Sequence, residues 1–152
     1  MAGAIDVAAY VLEKLESCDA MKLQKLTYYS QAWHLAWTGE PLFNDRIEAW
    51  ANGPVVPSLY REHKGKFLLH KGELSGRCSP EDLGGQQREV VDAVCESYGD
   101  LTGWQLSQLT HSERPWKEAR EKAGVSDGDR CTEPIDLDIM LEYYQSRMSS
   151  SS

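Results

Sequence analysis

The chain has 152 residues, 41% of them hydrophobic, and sixteen Lys and Arg stand against twenty-four Asp and Glu for a net charge of −8. That length supports one domain with a core of its own, needing neither metal nor disulfide, and the acidic balance disfavours phosphate backbones and anionic membranes as partners. A mean hydropathy of −0.53 and no apolar run near ~18 residues exclude a membrane-spanning helix, and the start Met1-Ala2-Gly3-Ala4-Ile5-Asp6 lacks a basic-then-apolar leader, so a cytoplasmic protein is expected.

Helical periodicity dominates the chain. Ile5, Ala8, Leu12 and Leu15 recur at intervals of three and four, predicting an amphipathic helix that ends near Ser17. A second begins near Met21, with Leu23, Leu26, Ser30, Trp33 and Trp37 on one side, and stops at Gly39-Glu40-Pro41. It is the longest and most apolar, so it is expected at the centre. Between Pro41 and Pro57 the helical period disappears. Leu42-Phe43 and residues 46–51 flank Asn44-Asp45, which reads as a short β-hairpin around residues 42–51. Gly53-Pro54-Val55-Val56-Pro57 follows in extended geometry, and Pro57 opens a short helix that Gly65 ends.

Residues 65–79 look irregular. Ser79-Pro80-Glu81-Asp82 reads as a helix start, and Val90, Val91, Val94, Cys95 and Tyr98 mark a helix ending near Gly99. Thr102 and Gln105 have capping-box spacing for the next. Ser112 is expected to cap another, with Pro115 in its first turn and Trp116, Ala119 and Ala123 on one side. Residues 124–134 form a loop, and Asp136 caps a final helix containing Ile139, Met140, Tyr143 and Tyr144. The fold class is therefore mainly α, a single compact domain of about seven helices over residues 1–148, with a disordered serine tail at 149–152.

Signals for catalysis or metal binding are weak. Cys18, Cys78, Cys95 and Cys131 contain no C-x-x-C, and His34, His63, His70 and His111 are as scattered, so no metal site or cofactor is expected. Cys78 and Cys131 fall in loops beside Arg77 and Arg130 and read as incidental surface thiols. None of the nucleophile, phosphate-loop or zinc motifs is present. His111 and Glu113 could be drawn as a base and its orienting acid, but no activated nucleophile accompanies them. Arg114, Lys117, Arg120 and Lys122 follow a short helix pair in helix-turn-helix style, yet Glu118 and Glu121 dilute them. A DNA-binding regulator is thus the alternative reading, not the first.

The unusual feature is aromatic choice: five Trp and seven Tyr against two Phe. Trp and Tyr concentrate where a surface is partly buried and partly wet. Trp33, Trp37, Trp104 and Trp116 are expected in the core. Trp50, on an extended segment just before the Gly-Pro, is as readily presented outward as inward.

These segments carry a resemblance. Met21-Lys22-Leu23-Gln24-Lys25-Leu26 with Tyr28-Tyr29 and Gln31-Ala32-Trp33, then Pro41-Leu42-Phe43, Ile47-Glu48-Ala49-Trp50 and Gly53-Pro54-Val55-Val56-Pro57, then Leu106-Ser107, Leu109-Thr110-His111, Glu113 and Pro115-Trp116, resemble in order the motifs of the Panacea-domain antitoxins, the SocA-like and phage-associated GepA-type family. The resemblance implies a non-enzymatic antitoxin of a type II system that neutralises a cognate protein toxin by direct binding, for some members as an adaptor to an AAA+ protease. It leaves a homodimer open. An acidic binder suits a basic toxin. The residues expected at the partner interface are Glu48, Trp50, Asn52, Gly53 and Pro54, with His111 and Trp116 at the second junction.

Overall fold

A computed structural model describes residues 3–74 and 83–150, with side chains to residue 148. Seven helices and two small antiparallel sheets form the described part: α1 (Ala4–Leu15), β1 (Ser17–Asp19), α2 (Ala20–Thr38), β2 (Glu48–Trp50), β3 (Gly53–Val55), α3 (Pro57–His63), β4 (Leu68–His70), α4 (Gly85–Tyr98), α5 (Gly103–His111), α6 (Arg114–Ala123) and α7 (Leu137–Ser150). The mainly α expectation holds, and among the described residues no helix is long and apolar enough to cross a membrane.

Helix α2 is the axis of the fold, packing against α1, α4, α5 and α7. Asp19 caps it, its carboxylate accepting from the Lys22 N–H at 2.8 Å, and Gly39 ends it with φ +79°. Its surroundings leave almost no face for water. Leu23, Leu26, Tyr28, Tyr29 and Ala32 are buried, but so are Gln24, Lys25, Thr27, Ser30 and Gln31. Thr27 and Ser30 satisfy their hydroxyls inside the helix, donating to the carbonyls of Leu23 and Leu26 at 2.8 Å. The other buried polar groups reach to the non-helical segment that follows. Gln31 accepts from the Leu42 N–H and donates to the Phe43 carbonyl, and Gln24 accepts from the Val56 N–H at 2.8 Å.

That clamping relocates the expected hairpin. Gln31 occupies the backbone of Leu42 and Phe43, so these residues have no strand to join. Asp45 is an anchor and not a turn, accepting from the Ala4 N–H at 3.0 Å and from the Ser58 hydroxyl. The hairpin forms between β2 and β3, with Glu48 opposite Val55, Ala49 opposite Pro54 and Trp50 opposite Gly53. Its turn is Ala51-Asn52. The 133–135 segment lies along the outer edge of β2, through Ala49 N–H to the Glu133 carbonyl at 2.9 Å and Ile135 N–H to the Ile47 carbonyl at 2.8 Å.

The 65–79 stretch is also less irregular than expected. Its Leu68–His70 portion pairs with β1, Cys18 opposite Leu69. The Thr102–Gln105 capping box is formed reciprocally, at 2.9 and 3.0 Å, and Asp136 accepts from the Asp138 N–H at 2.7 Å. Ser112, expected to open α6, instead closes α5 by donating to the Leu109 carbonyl, and Glu113 holds the cap position of α6. The helix start expected at Ser79-Pro80 lies outside the described residues. The serine run expected to be disordered begins inside α7, and its last two residues lie outside the described residues.

Candidate functional site

The hairpin reaches α5 and α6 through a set of directed hydrogen bonds. Ser107 donates to the Asn52 carbonyl at 2.5 Å, the Trp116 indole N–H to the Trp50 carbonyl at 2.9 Å, and Arg120 to the Ala49 carbonyl at 3.0 Å. Below it, the Lys25 ammonium donates to the Pro54 carbonyl at 3.2 Å. Gly53 permits this approach. Its φ is +118°, and a Cβ there would lie 2.7 Å from Lys25 Cε and 3.0 Å from Thr110 Oγ1.

All seven residues expected at the interface therefore meet in one junction, but they do different things in it. Glu48, Gly53, Pro54 and Trp116 are buried. Glu48 holds the hairpin's own side chains, accepting from the Trp50 indole at 2.8 Å and from Arg46 at 2.6 Å. Trp116 is sandwiched, with the His111 ring stacked at 4.0 Å and 5° on one side and the Arg120 guanidinium 5.1 Å from the ring centre. Burial lowers the His111 pKa, and the nearby Lys25 charge adds to this. Trp50 and Asn52 face outward, into a cleft.

The cleft has a volume of about 890 Å³ and opens between the hairpin, the first turns of α2 and the segments after α3 and α6. Gln24, Lys25 and His63 lie at its base, with Gln24 and His63 bonded to each other at 2.9 Å. Trp50 and Tyr60 form an aromatic wall, edge to face at 5.0 Å. Phe67, 81% exposed, stands at the lip. Burial pulls the Lys25 ammonium down to about 7 and also lowers His63. Cys131 lines the cleft as a buried thiol, not the surface cysteine expected, and Cys78 lies outside the described residues.

Sequence patterning did not single out Lys25, Gln24 or His63. The available signal was a long apolar helix carrying polar residues on every side, which a helix buried all round can hold only if each finds a partner.

The residues considered for other chemistry are engaged elsewhere. Glu113 does not orient His111. Its carboxylate accepts from the hydroxyls of Tyr29 at 2.7 Å and Tyr144 at 2.8 Å, inside an aromatic group where Tyr29 stacks on Tyr98 at 4.2 Å. Burial raises the Glu113 pKa, opposed by these two hydroxyls. Of the four basic residues considered for DNA, Arg114 is paired with Glu118 and Glu142. Lys122 lies 3.6 Å from Glu133, and Arg120 is buried, its guanidinium donating to the carbonyls of Ala49, Ser126 and Asp129. Two tryptophans expected in the core lie outside it, Trp37 at 44% and Trp104 at 64% exposure.

The description "Antitoxin SocA-like, Panacea domain" matches residues 23–117, from the first turn of α2 through the hairpin to the first turn of α6. The chain belongs to the SocA-like, Panacea-domain antitoxin family. Among curated proteins, the chain is similar to Antitoxin SocA of Caulobacter vibrioides (strain NA1000 / CB15N), 32% identical over 126 residues. That alignment covers 72% of this chain and 66% of the relative, so the chain spans about two thirds of the relative's length. No solved structure matches. The Panacea region takes in the clamp between α2 and the 42–56 segment and most of the cleft, whereas the segment at 128–132 that completes the cleft lies beyond it.

Proposed function

We propose that this protein is the antitoxin of a type II toxin–antitoxin pair and neutralises its toxin by binding it directly. The observation that carries the reading is the family match over residues 23–117, the region that builds the hairpin junction. Its own geometry supports a binder. Trp50 and Asn52 are held at the mouth of an open cleft by a frame of partly buried hydrogen bonds, so less order has to be gained on docking. Trp and Tyr at such a rim supply contact area with few rotamers to freeze.

The test is co-expression. The gene adjacent to this one is expressed alone and then together with this protein, and growth and co-purification are followed. Growth arrest by the neighbour, relieved by this protein in a complex that co-purifies, is the expected result. A harmless neighbour, or a toxic one that is not relieved, overturns the reading. Delivery of the toxin to an AAA+ protease is a finer proposal. It predicts that the toxin's half-life in the cell shortens when this protein is present, whereas occlusion alone leaves it unchanged or lengthens it.

A further inference from the structure

Charge is distributed unevenly between the cleft and the rest of the chain. The sequence carries half as many acids again as bases, yet among the described residues no aspartate or glutamate lines the cleft, while Lys25, Lys64, Lys66 and Arg130 do. Lys66 is paired with Glu73 at 2.8 Å. Lys64, which follows α3, and Arg130, which follows α6, both line the opening and are exposed, and among the described residues neither meets a carboxylate. At the base, the Lys25 ammonium has three donors and, among the described residues, one hydrogen-bond acceptor, the Pro54 carbonyl. The walls between these charges are Trp50, Tyr60 and the apolar Phe67.

We propose that this cleft is a docking site for an acidic peptide segment of the partner, with carboxylates set against Lys64 and Arg130 and an apolar side chain laid against Trp50, Tyr60 and Phe67. The proposal rests on the reading of the chain as a binder of a protein toxin, and it names the part of the toxin that docks. A basic opening lined by no described carboxylate, in an acidic protein, concentrates anions at one place while net negative charge elsewhere repels them, which fixes where and in which register an acidic segment docks. The −8 net charge favours a basic partner at long range, but contact in the cleft selects the opposite sign. Phe67, largely exposed at the lip, favours a peptide over a free anion, because covering it needs apolar surface that an inorganic ion lacks.

The experiment is a selection of short randomised peptides displayed on phage against the full chain, followed by fluorescence anisotropy with a labelled selected peptide. Selected sequences are expected to be rich in Asp and Glu around one aromatic or aliphatic residue. Binding is expected to weaken by about tenfold or more with Lys64→Glu/Arg130→Glu, less with Lys64→Gln/Arg130→Gln, and to weaken as salt is raised. Both side chains are exposed, so unchanged melting temperatures confirm an intact fold. Selected peptides without acidic excess, failure to select any, or affinity indifferent to the charge reversal overturns the proposal. A labelled oligothymidylate that binds more tightly than the peptides and is lost on the same reversal overturns it too, in favour of nucleic acid. Rescue of growth in the co-expression assay alongside a failed peptide selection would leave the antitoxin reading standing and place the toxin elsewhere on the surface.

Discussion

Lys25, on the central helix, donates its ammonium to the carbonyl of Pro54 on the hairpin at 3.2 Å, from a side chain that is 2% exposed. Burial lowers its pKa to about 7, whereas in the unfolded chain it stays near ~10.4. Between these values the unfolded state holds a proton that the folded state has released, so this residue makes stability rise with pH, by at most ~1.4 kcal/mol per pH unit. Cys18 and Cys95, pushed up to about 12 and about 11 by burial, act oppositely above ~8.5, where the unfolded thiols ionise first. Lys25→Met removes the first effect alone. In urea titrations from about pH 6 to about 8.5, the variant is expected to be the more stable at the acid end and to lose that advantage as pH rises. Parallel profiles would show that Lys25 does not titrate there.

Glu113 ties α2 to α7 by accepting two tyrosine hydroxyls. Glu113→Ala strands the Tyr29 hydroxyl in the core and leaves the Tyr144 hydroxyl to Tyr28, 3.1 Å away, and is expected to cost about 1–3 kcal/mol. Glu113→Gln retains an acceptor oxygen and removes a buried charge, so near neutrality it is expected to cost less than ~1 kcal/mol or to stabilise. Because burial raises the Glu113 pKa, the folded state takes up a proton before the unfolded state does. The penalty of the buried charge is thus present at neutral pH and is relieved as pH falls through the folded value. Chemical denaturation of the two variants checks this, and an equal loss in both would refute the acceptor role.

Gly53→Ala puts a methyl group on a backbone at φ +118° and against Lys25 and Thr110. The strained backbone and the displaced lysine together are expected to cost about 2–4 kcal/mol, seen as a lower melting temperature. A variant as stable as the wild type would mean that the hairpin does not sit this close to α2.

Trp116 and Trp50 separate folding from binding. Trp116→Ala opens a cavity between His111 and Arg120 and frees the Trp50 carbonyl, for an expected loss of about 3–5 kcal/mol. Trp50→Phe keeps the ring against Tyr60 and loses only the hydrogen bond to Glu48, so about 1 kcal/mol or less is expected. If the cleft binds the toxin, co-purification should weaken with Trp50→Ala under conditions where circular dichroism shows a native fold. Full neutralisation by that variant would exclude Trp50 as an anchor.

The helices were legible because their signals are local. Asp136 and the Thr102–Gln105 pair cap within three residues, Gly39 takes the left-handed position that ends α2, and Pro57 sets the first turn of α3. The aromatic motifs carried the family for the same reason, being readable as strings. The hairpin's register was not legible. Leu42 and Phe43 look like a strand until Gln31, eleven and twelve residues earlier, takes up their backbone groups. The site was hidden more deeply. Lys64 and Arg130 come to one opening from segments far apart in the chain, and Lys25 becomes a buried cation only because Pro54, twenty-nine residues on, folds over it. Composition reported an acidic protein, since net charge sums over the whole chain. A basic cleft is a matter of which side chains face one another, and that arises only when α2 is enclosed and its buried polar groups have to find partners across the chain.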